Sequence, residues 1–257
     1  MRNWQLIGVM AGLLVASSAF ALESEALNPK PTPLIEATSK GKIHWVVALN
    51  LGGAIAQPGK TQTLAAYGGS NNYANTTSLQ TSLLGGAFVG LDIPLSPLFN
   101  YQVGLAYNTV SPYTLKGQIQ QYGEAQFTGF DYQYQVQSQQ LFLESKLLLN
   151  ATRHVHPYVS LGLGSAMNKA SAFSATALDP TAVDPGIFAD KTSTTFAYTL
   201  SLGVDFNVAK QWRIGGGYRF ANFGKAYLGA APDFASSKGL SASLLNHQLF
   251  VSASYIF

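Results

Sequence analysis

Six charged residues stand among apolar neighbours at alternating spacing: Asp92, Glu144, Lys146, Asp205, Arg213 and Arg219. Three acids against three bases could pair inside an enclosed space, either as a gate or ion path or as a static plug. Charges withdrawn from water persist only when they are paired. The histidines offer less. His154 and His156 are two apart, which would turn both imidazoles to one face of a strand as metal ligands. No carboxylate or third histidine lies near them in sequence, so they read as a turn histidine and an interior histidine. His247 has Ser243 and Ser241 upstream, but nothing fixes a catalytic partner. Asp179, Asp184 and Asp190 could offer oxygens to calcium, yet Asp179-Pro180 and Asp184-Pro185-Gly186 are also plain turn formers. Gly162-Leu163-Gly164 and Gly215-Gly216-Gly217 lack the helix that a phosphate loop requires. Glycine there is expected to make room in a narrow interior. The chain has no cysteine, which removes disulfides and thiolate metal sites. No catalytic, cofactor or metal-binding set is therefore expected.

The elements that must position the six charges are strands. Apolar residues recur at every second position in eight segments: 44–55, 79–93, 99–108, 140–149, 155–168, 195–206, 212–220 and 248–257. In the first, Trp45, Val47, Leu49 and Leu51 oppose His44, Ala48, Asn50 and Gly52. Period-two alternation is the signature of a strand with two unlike faces. No Asp, Glu, Lys or Arg falls on the apolar face, and all six charges fall on the other. The charged fraction is 11%, against about 25% in ordinary soluble proteins. No later apolar run approaches the roughly 20 residues of a spanning helix. A closed barrel in a membrane hides apolar residues at every second position without such a run. The expected fold is all-β, an eight-stranded antiparallel up-and-down transmembrane barrel. Short connections (94–98, 150–154, 207–211) alternate with long ones (56–77, 110–131, 169–193, 223–241). One alternation fails: Tyr132, Tyr134 and Val136 are out of phase with Leu141 and Leu143, and a bulge near Ser138 is expected to absorb the slip.

The beginning of the chain reads as an export signal. Arg2 supplies a positive charge, Leu6 to Ala16 an apolar stretch, and Ala19-Phe20-Ala21 a small-x-small cleavage site. Residues 1–21 are read as a removed signal peptide, 22–41 as an extended periplasmic tail containing Pro29, Pro31 and Pro33, and 42–257 as the barrel. Removing Arg2 leaves 14 basic and 12 acidic residues, a net charge of +2. That balance does not point to nucleic acid as a partner.

Leu249-Phe250-Val251-Ser252-Ala253-Ser254-Tyr255-Ile256-Phe257, His156-Pro157-Tyr158-Val159-Ser160-Leu161-Gly162-Leu163-Gly164, Gly203-Val204-Asp205-Phe206 and Gly217-Tyr218-Arg219-Phe220 resemble strands of the small outer-membrane β-barrel superfamily. That group includes the OmpA-type barrel and the opacity-type adhesins. The resemblance implies a bacterial outer-membrane location, with membrane lipids and lipopolysaccharide as surroundings. It also implies that Tyr255 and Phe257 act as the signal read by the barrel-assembly machinery. The favoured function is non-enzymatic: a monomeric structural or surface-interaction protein whose four outer loops meet host, phage or matrix. Tyr67, Tyr73, Tyr113, Tyr122, Phe127, Phe130, Phe173, Phe188 and Phe234 would be its binding material, and the charge cluster would plug the lumen. The alternatives are a narrow channel for small solutes and, third, a lipid A-modifying enzyme.

Overall fold

The computed structural model describes residues 42–66, 69–178, 180, 182, 184–231 and 239–257. The expected signal peptide with Ala19 and Ala21, and the proline-bearing tail, lie outside these residues. Among the described residues ten strands run in chain order: β1 (His44–Ala56), β2 (Gln62–Ala66), β3 (Gly69–Asn75), β4 (Gln80–Pro94), β5 (Phe99–Gln120), β6 (Thr128–Leu149), β7 (Val155–Ala177), β8 (Lys191–Asn207), β9 (Trp212–Tyr227) and β10 (Ser241–Ile256). Eight of them close a ring through antiparallel pairs, in the order β1, β4, β5, β6, β7, β8, β9, β10 and back to β1. Closure leaves no free edge in the ring, which is what a sheet surrounded by hydrocarbon requires. The turns at the short-loop end are tied by their own hydroxyls. Ser96 accepts from the Leu98 and Phe99 amides, and Thr152 from those of His154 and Val155.

All eight expected strands are present with the expected phase. Trp45, Leu49, Leu51, Leu83, Leu105, Leu143, Leu161, Leu202, Trp212 and Leu249 all stand on the exposed face. The apolar outer face is 9 residues long on β5 (Phe99–Tyr107) and 13 on β7 (Val155–Met167), close to the 9–11 residues of a tilted membrane strand. Trp45, Phe99, Phe206, Trp212, Tyr255 and Phe257 ring the short-turn end, with Trp212–Tyr255 and Tyr255–Phe257 centroids 5.1 and 4.9 Å apart.

Much of what reads as long loops in the sequence is strand. Both β5 and β6 continue 13 residues past the apolar belt, about 30 Å along the barrel axis at the usual rise and tilt. In this outer storey the polarity of the wall reverses. On β6, Asp131, Gln133, Gln135, Gln137 and Gln139 face outward, while Tyr132, Tyr134 and Val136 are buried inside. β6 therefore has no slip and no bulge near Ser138. Its phase is continuous, and the chemistry of its two faces changes because water replaces lipid outside. Around the reversal of polarity the bulges lie in its neighbours, while β6 carries an extra residue of its own near its start, at Gly129. Ser111 and Pro112 on β5 oppose the single Gln137, and Ala172 and Phe173 on β7 oppose Tyr134. A third bulge falls on β9 at Phe223–Gly224. Each adds one residue and flips the alternation, so that Tyr113, Leu115 and Ile119 on β5, Phe173 on β7, and Ala226 on β9 turn inward.

Where β1 and β4 end, the β2–β3 hairpin takes their place. β3 pairs with the upper part of β5. Gln62, the first residue of β2, holds Ser241 of β10 by both its backbone groups: Nε2 donates to the Ser241 carbonyl at 2.7 Å, and Oε1 accepts from its amide at 3.0 Å.

Candidate functional site

The six charged residues all point into the lumen and form three ion pairs, most of them across the barrel rather than along its wall. Lys146 Nζ lies 2.6 Å from Asp205 Oδ2, Arg213 lies 3.5 Å from Asp92, and Arg219 lies 3.9 Å from Glu144. Lys146 also sits over the Tyr158 ring, 3.8 Å from its centre, and Arg219 over Phe250 at 4.7 Å. A cation over a ring face keeps part of the stabilisation that it loses with its water. The Tyr158 ring reaches this position because Gly203 and Gly217 leave room for it. A Cβ at either glycine would come within 2.6 Å of the Tyr158 hydroxyl. The expected role of lumen glycines is thus seen in a particular contact. Beside Lys146, Glu144 and Arg219 remains a space of about 30 Å³, room for about one water.

Asp205 and Arg213 stand on neighbouring strands, β8 and β9, yet they do not pair. Arg213 stands opposite Asn207 in the β8–β9 register, while Asp205 stands opposite Gly215. Arg213 Nε donates to Asn207 Oδ1 at 3.1 Å, and its guanidinium extends over the lumen to Asp92. In a barrel this narrow a long side chain meets the far wall as readily as its neighbour.

A ring of hydrogen bonds at the short-turn mouth escaped the sequence reading. Asn100 donates to Asp92, Asn150 to Asn100, and His156 Nδ1 to Asn150. Asn207 donates to His156 Nε2, Arg213 donates to Asn207, and the Arg213–Asp92 pair closes the circuit. The donation from Asn207 to Nε2 places the imidazole proton on Nδ1, the tautomer of a neutral ring. Three of these residues are uncharged asparagines at strand ends, where they read as turn formers. The only available signal was their recurrence near strand ends: Asn100 is the second residue of β5, Asn150 follows β6, and Asn207 ends β8.

Above the charged layer a band of buried polar side chains, among them Asn108, Gln140 and Asn168, gives way to a largely apolar interior in the outer storey. Tyr73 stacks edge-on against Tyr132 and Phe188, with centroids 5.6 Å apart in both cases, and Phe173 meets Phe188 at 4.9 Å. Burial pushes the Tyr73 phenol above its ordinary range. Leu84, Val110, Phe142, Phe223, Leu228, Leu240 and Leu244 continue the core. Tyr73, Tyr113, Phe130, Phe173 and Phe188, expected as loop binding material, are buried packing residues. Of that set, Tyr122 and Phe127 are exposed. They pair edge-on at 5.6 Å in two short 3-10 turns, Gln121–Gly123 and Ala125–Phe127, at the tip of the β5–β6 hairpin. Tyr67 and Phe234 lie outside the described residues.

Asn168 on β7 is fully buried between the two storeys and joins four strands. It accepts from Ser138 on β6 and donates to Thr195 on β8 and to the Phe223 carbonyl on β9. It supplies partners where the β8–β9 ladder stops at Asn222.

The remaining candidates stand apart. His154 is exposed in its turn, away from the buried His156. His247 faces outward, and its Nδ1 is 2.6 Å from the Tyr218 hydroxyl. Asp184 accepts from the Gly186 amide, and Asp190 from the Ala172 amide at the β7 bulge. Asp179 lies outside the described residues. Among the described residues no group of three or more potential ligands gathers as a metal site.

The closed ring, the apolar belt and the aromatic girdle define an integral outer-membrane barrel. Residues 46–257 match the family described as outer membrane protein beta-barrel domain, and the chain belongs to it. Its location is therefore the bacterial outer membrane. No match was found among curated proteins. Among solved structures, the chain is similar to OprG of Pseudomonas aeruginosa (12% identity, 85% of this chain and 98% of that one, TM-score 0.46). It is also similar to Neisserial surface protein A (11% identity, 84% and 100%, TM-score 0.42) and to the outer membrane protease OmpT of Escherichia coli (8% identity, 85% and 98%, TM-score 0.45).

Proposed function

We propose that this protein is a non-enzymatic, non-conducting surface barrel that holds an interaction tip clear of the membrane. The observation that carries the reading is the outer storey. On the β5–β6 side its wall continues the barrel about 30 Å outward, its own apolar core fills the interior, and the exposed Tyr122–Phe127 pair crowns the longest hairpin. Aromatic rings at a rigid tip supply contact area at small entropic cost, and host surface, phage or matrix is the class of partner. The three ion pairs below plug the lumen, and Tyr255 and Phe257 present the end of β10 to the assembly machinery.

Two measurements test this. In planar bilayers the refolded mature protein is expected to give no steady conductance; sustained single-channel currents would favour the narrow-channel reading. On whole cells, Tyr122→Ser with Phe127→Ser is expected to reduce adhesion to host cells or matrix several-fold at unchanged surface level. Unchanged adhesion would remove the tip from the proposal.

A further inference from the structure

We propose that the outer faces of β7, β8 and β9 form a seat for a phosphorylated, multiply acylated glycolipid of the outer leaflet. The barrel surface is not uniform around its circumference at the upper edge of the apolar belt. On β8–β10 the lipid-facing side chains make one continuous array of rings. Phe196 lies 6.5 Å from Tyr198, Tyr198 6.4 Å from Phe220, Phe220 5.7 Å from His247, and His247 6.0 Å from Tyr218. Polar contacts pin two members: the Tyr218 hydroxyl to His247, and Asn222 Nδ2 to the Tyr198 hydroxyl at 3.3 Å. Rings so held form a shelf with an apolar body toward the acyl chains and polar edges toward the headgroups.

Immediately above this shelf stand two exposed lysines, Lys169 on β7 and Lys225 on β9. They flank β8. The Ser193 hydroxyl of β8 lies 3.5 Å from the Asn168 carbonyl and 3.4 Å from the Lys225 carbonyl. Two strand spacings of about 4.8 Å put the two backbones about 10 Å apart, with Thr192 and Thr194 exposed between them. Lys169 has a long contact to Asp190 at 4.0 Å, both half-exposed. One carboxylate oxygen of Asp190 is already taken by the Ala172 amide, and Lys191 adds a further exposed positive charge. The local balance is positive. At the same edge β1, β4, β5 and β6 offer Ile55, Thr81, Leu83, Thr109, Gln137 and Gln139, with no cation among the described residues. Cations above and aromatic rings below match phosphates on a sugar headgroup above acyl chains. A zwitterionic phospholipid would use only the rings.

The test uses the mature protein in phosphatidylcholine nanodiscs, titrated with bisphosphorylated lipid A, monophosphorylated lipid A or phosphatidylglycerol, with bound lipid counted by native mass spectrometry. Wild type is expected to hold bisphosphorylated lipid A more tightly than either other lipid. Lys169→Gln with Lys225→Gln is expected to weaken it about tenfold or more, and Tyr198→Ala with Phe220→Ala to weaken both forms of lipid A. Lys116→Gln, a lysine on the outer face of β5, should change nothing. Since all three lysines are exposed, folding is not at stake. The proposal is overturned if the double lysine variant binds as wild type does. Equal retention of phosphatidylglycerol and lipid A would overturn it too, because that is unspecific attraction of anions.

Discussion

The two storeys of this barrel share strands, connectivity and closure, yet have opposite insides and outsides. In the membrane storey Leu143 and Leu161 face outward, while Glu144, Lys146 and Asp205 face in. About 25 Å further along the barrel axis, glutamines and threonines face out, and Tyr132, Tyr134 and Phe173 are the core. Water surrounds the upper storey, so its stability comes from apolar burial as in any soluble barrel. Lipid surrounds the lower storey and gives no such gain from hiding apolar groups; there the interior must satisfy polar side chains with one another. The contrast teaches that alternation specifies a strand, but the medium outside specifies which face is which.

Substitutions can break this contrast at either level. The largest effect is expected from Tyr73→Ala, which empties the middle of the outer aromatic core. The expected loss is about 3–5 kcal/mol, read by denaturation and by new protease cleavage in the outer hairpins. The membrane ring should keep its heat-modifiable gel migration. Loss of that migration would mean that the two storeys fold as one unit.

Lys146→Ala attacks the other interior. It leaves the fully buried Asp205 carboxylate without its cation. That typically costs about 3–5 kcal/mol, and less where water enters from a nearby mouth. Adding Asp205→Ala should recover part of the loss, whereas Arg213→Ala with Asp205→Ala should show weaker coupling, because those two residues are not paired. Equal coupling in the two double-mutant cycles would contradict the observed pairing.

The smallest step compares the two exteriors. Leu161→Arg places a cation against hydrocarbon near mid-strand and should destabilise by about 2–4 kcal/mol. Gln135→Arg places the same group in water on the outer wall and should stay within about 0.5 kcal/mol of wild type. Similar costs at both positions, measured by refolding into bilayers, would place the membrane boundary elsewhere on the wall.

The sequence by itself determined the eight membrane-crossing segments, their phase, the short turns and the inward position of all six charges, but not β2, β3 or the outer halves of β5 and β6. These follow from local alternation, which each segment displays without reference to any other. The two Gly-rich motifs in strands could likewise be read as room-makers from their context alone. Three things were decided only by the tertiary structure. Partners inside the lumen depend on which residues stand opposite once hairpin registers are set, so Arg213 met Asp92 and not Asp205. The ring through Asn100, Asn150, His156 and Asn207 needs six strand ends brought to one rim, and none of these residues is unusual alone. The reversal of polarity needs the barrel closed and the outer half lifted into water. In sequence, Tyr132, Tyr134 and Val136 looked like a slip because alternation was judged against a single medium. Bulges at Ser111–Pro112 and Ala172–Phe173 let the neighbouring walls turn with β6, since a closed barrel can change which residues it buries only if adjacent strands change together.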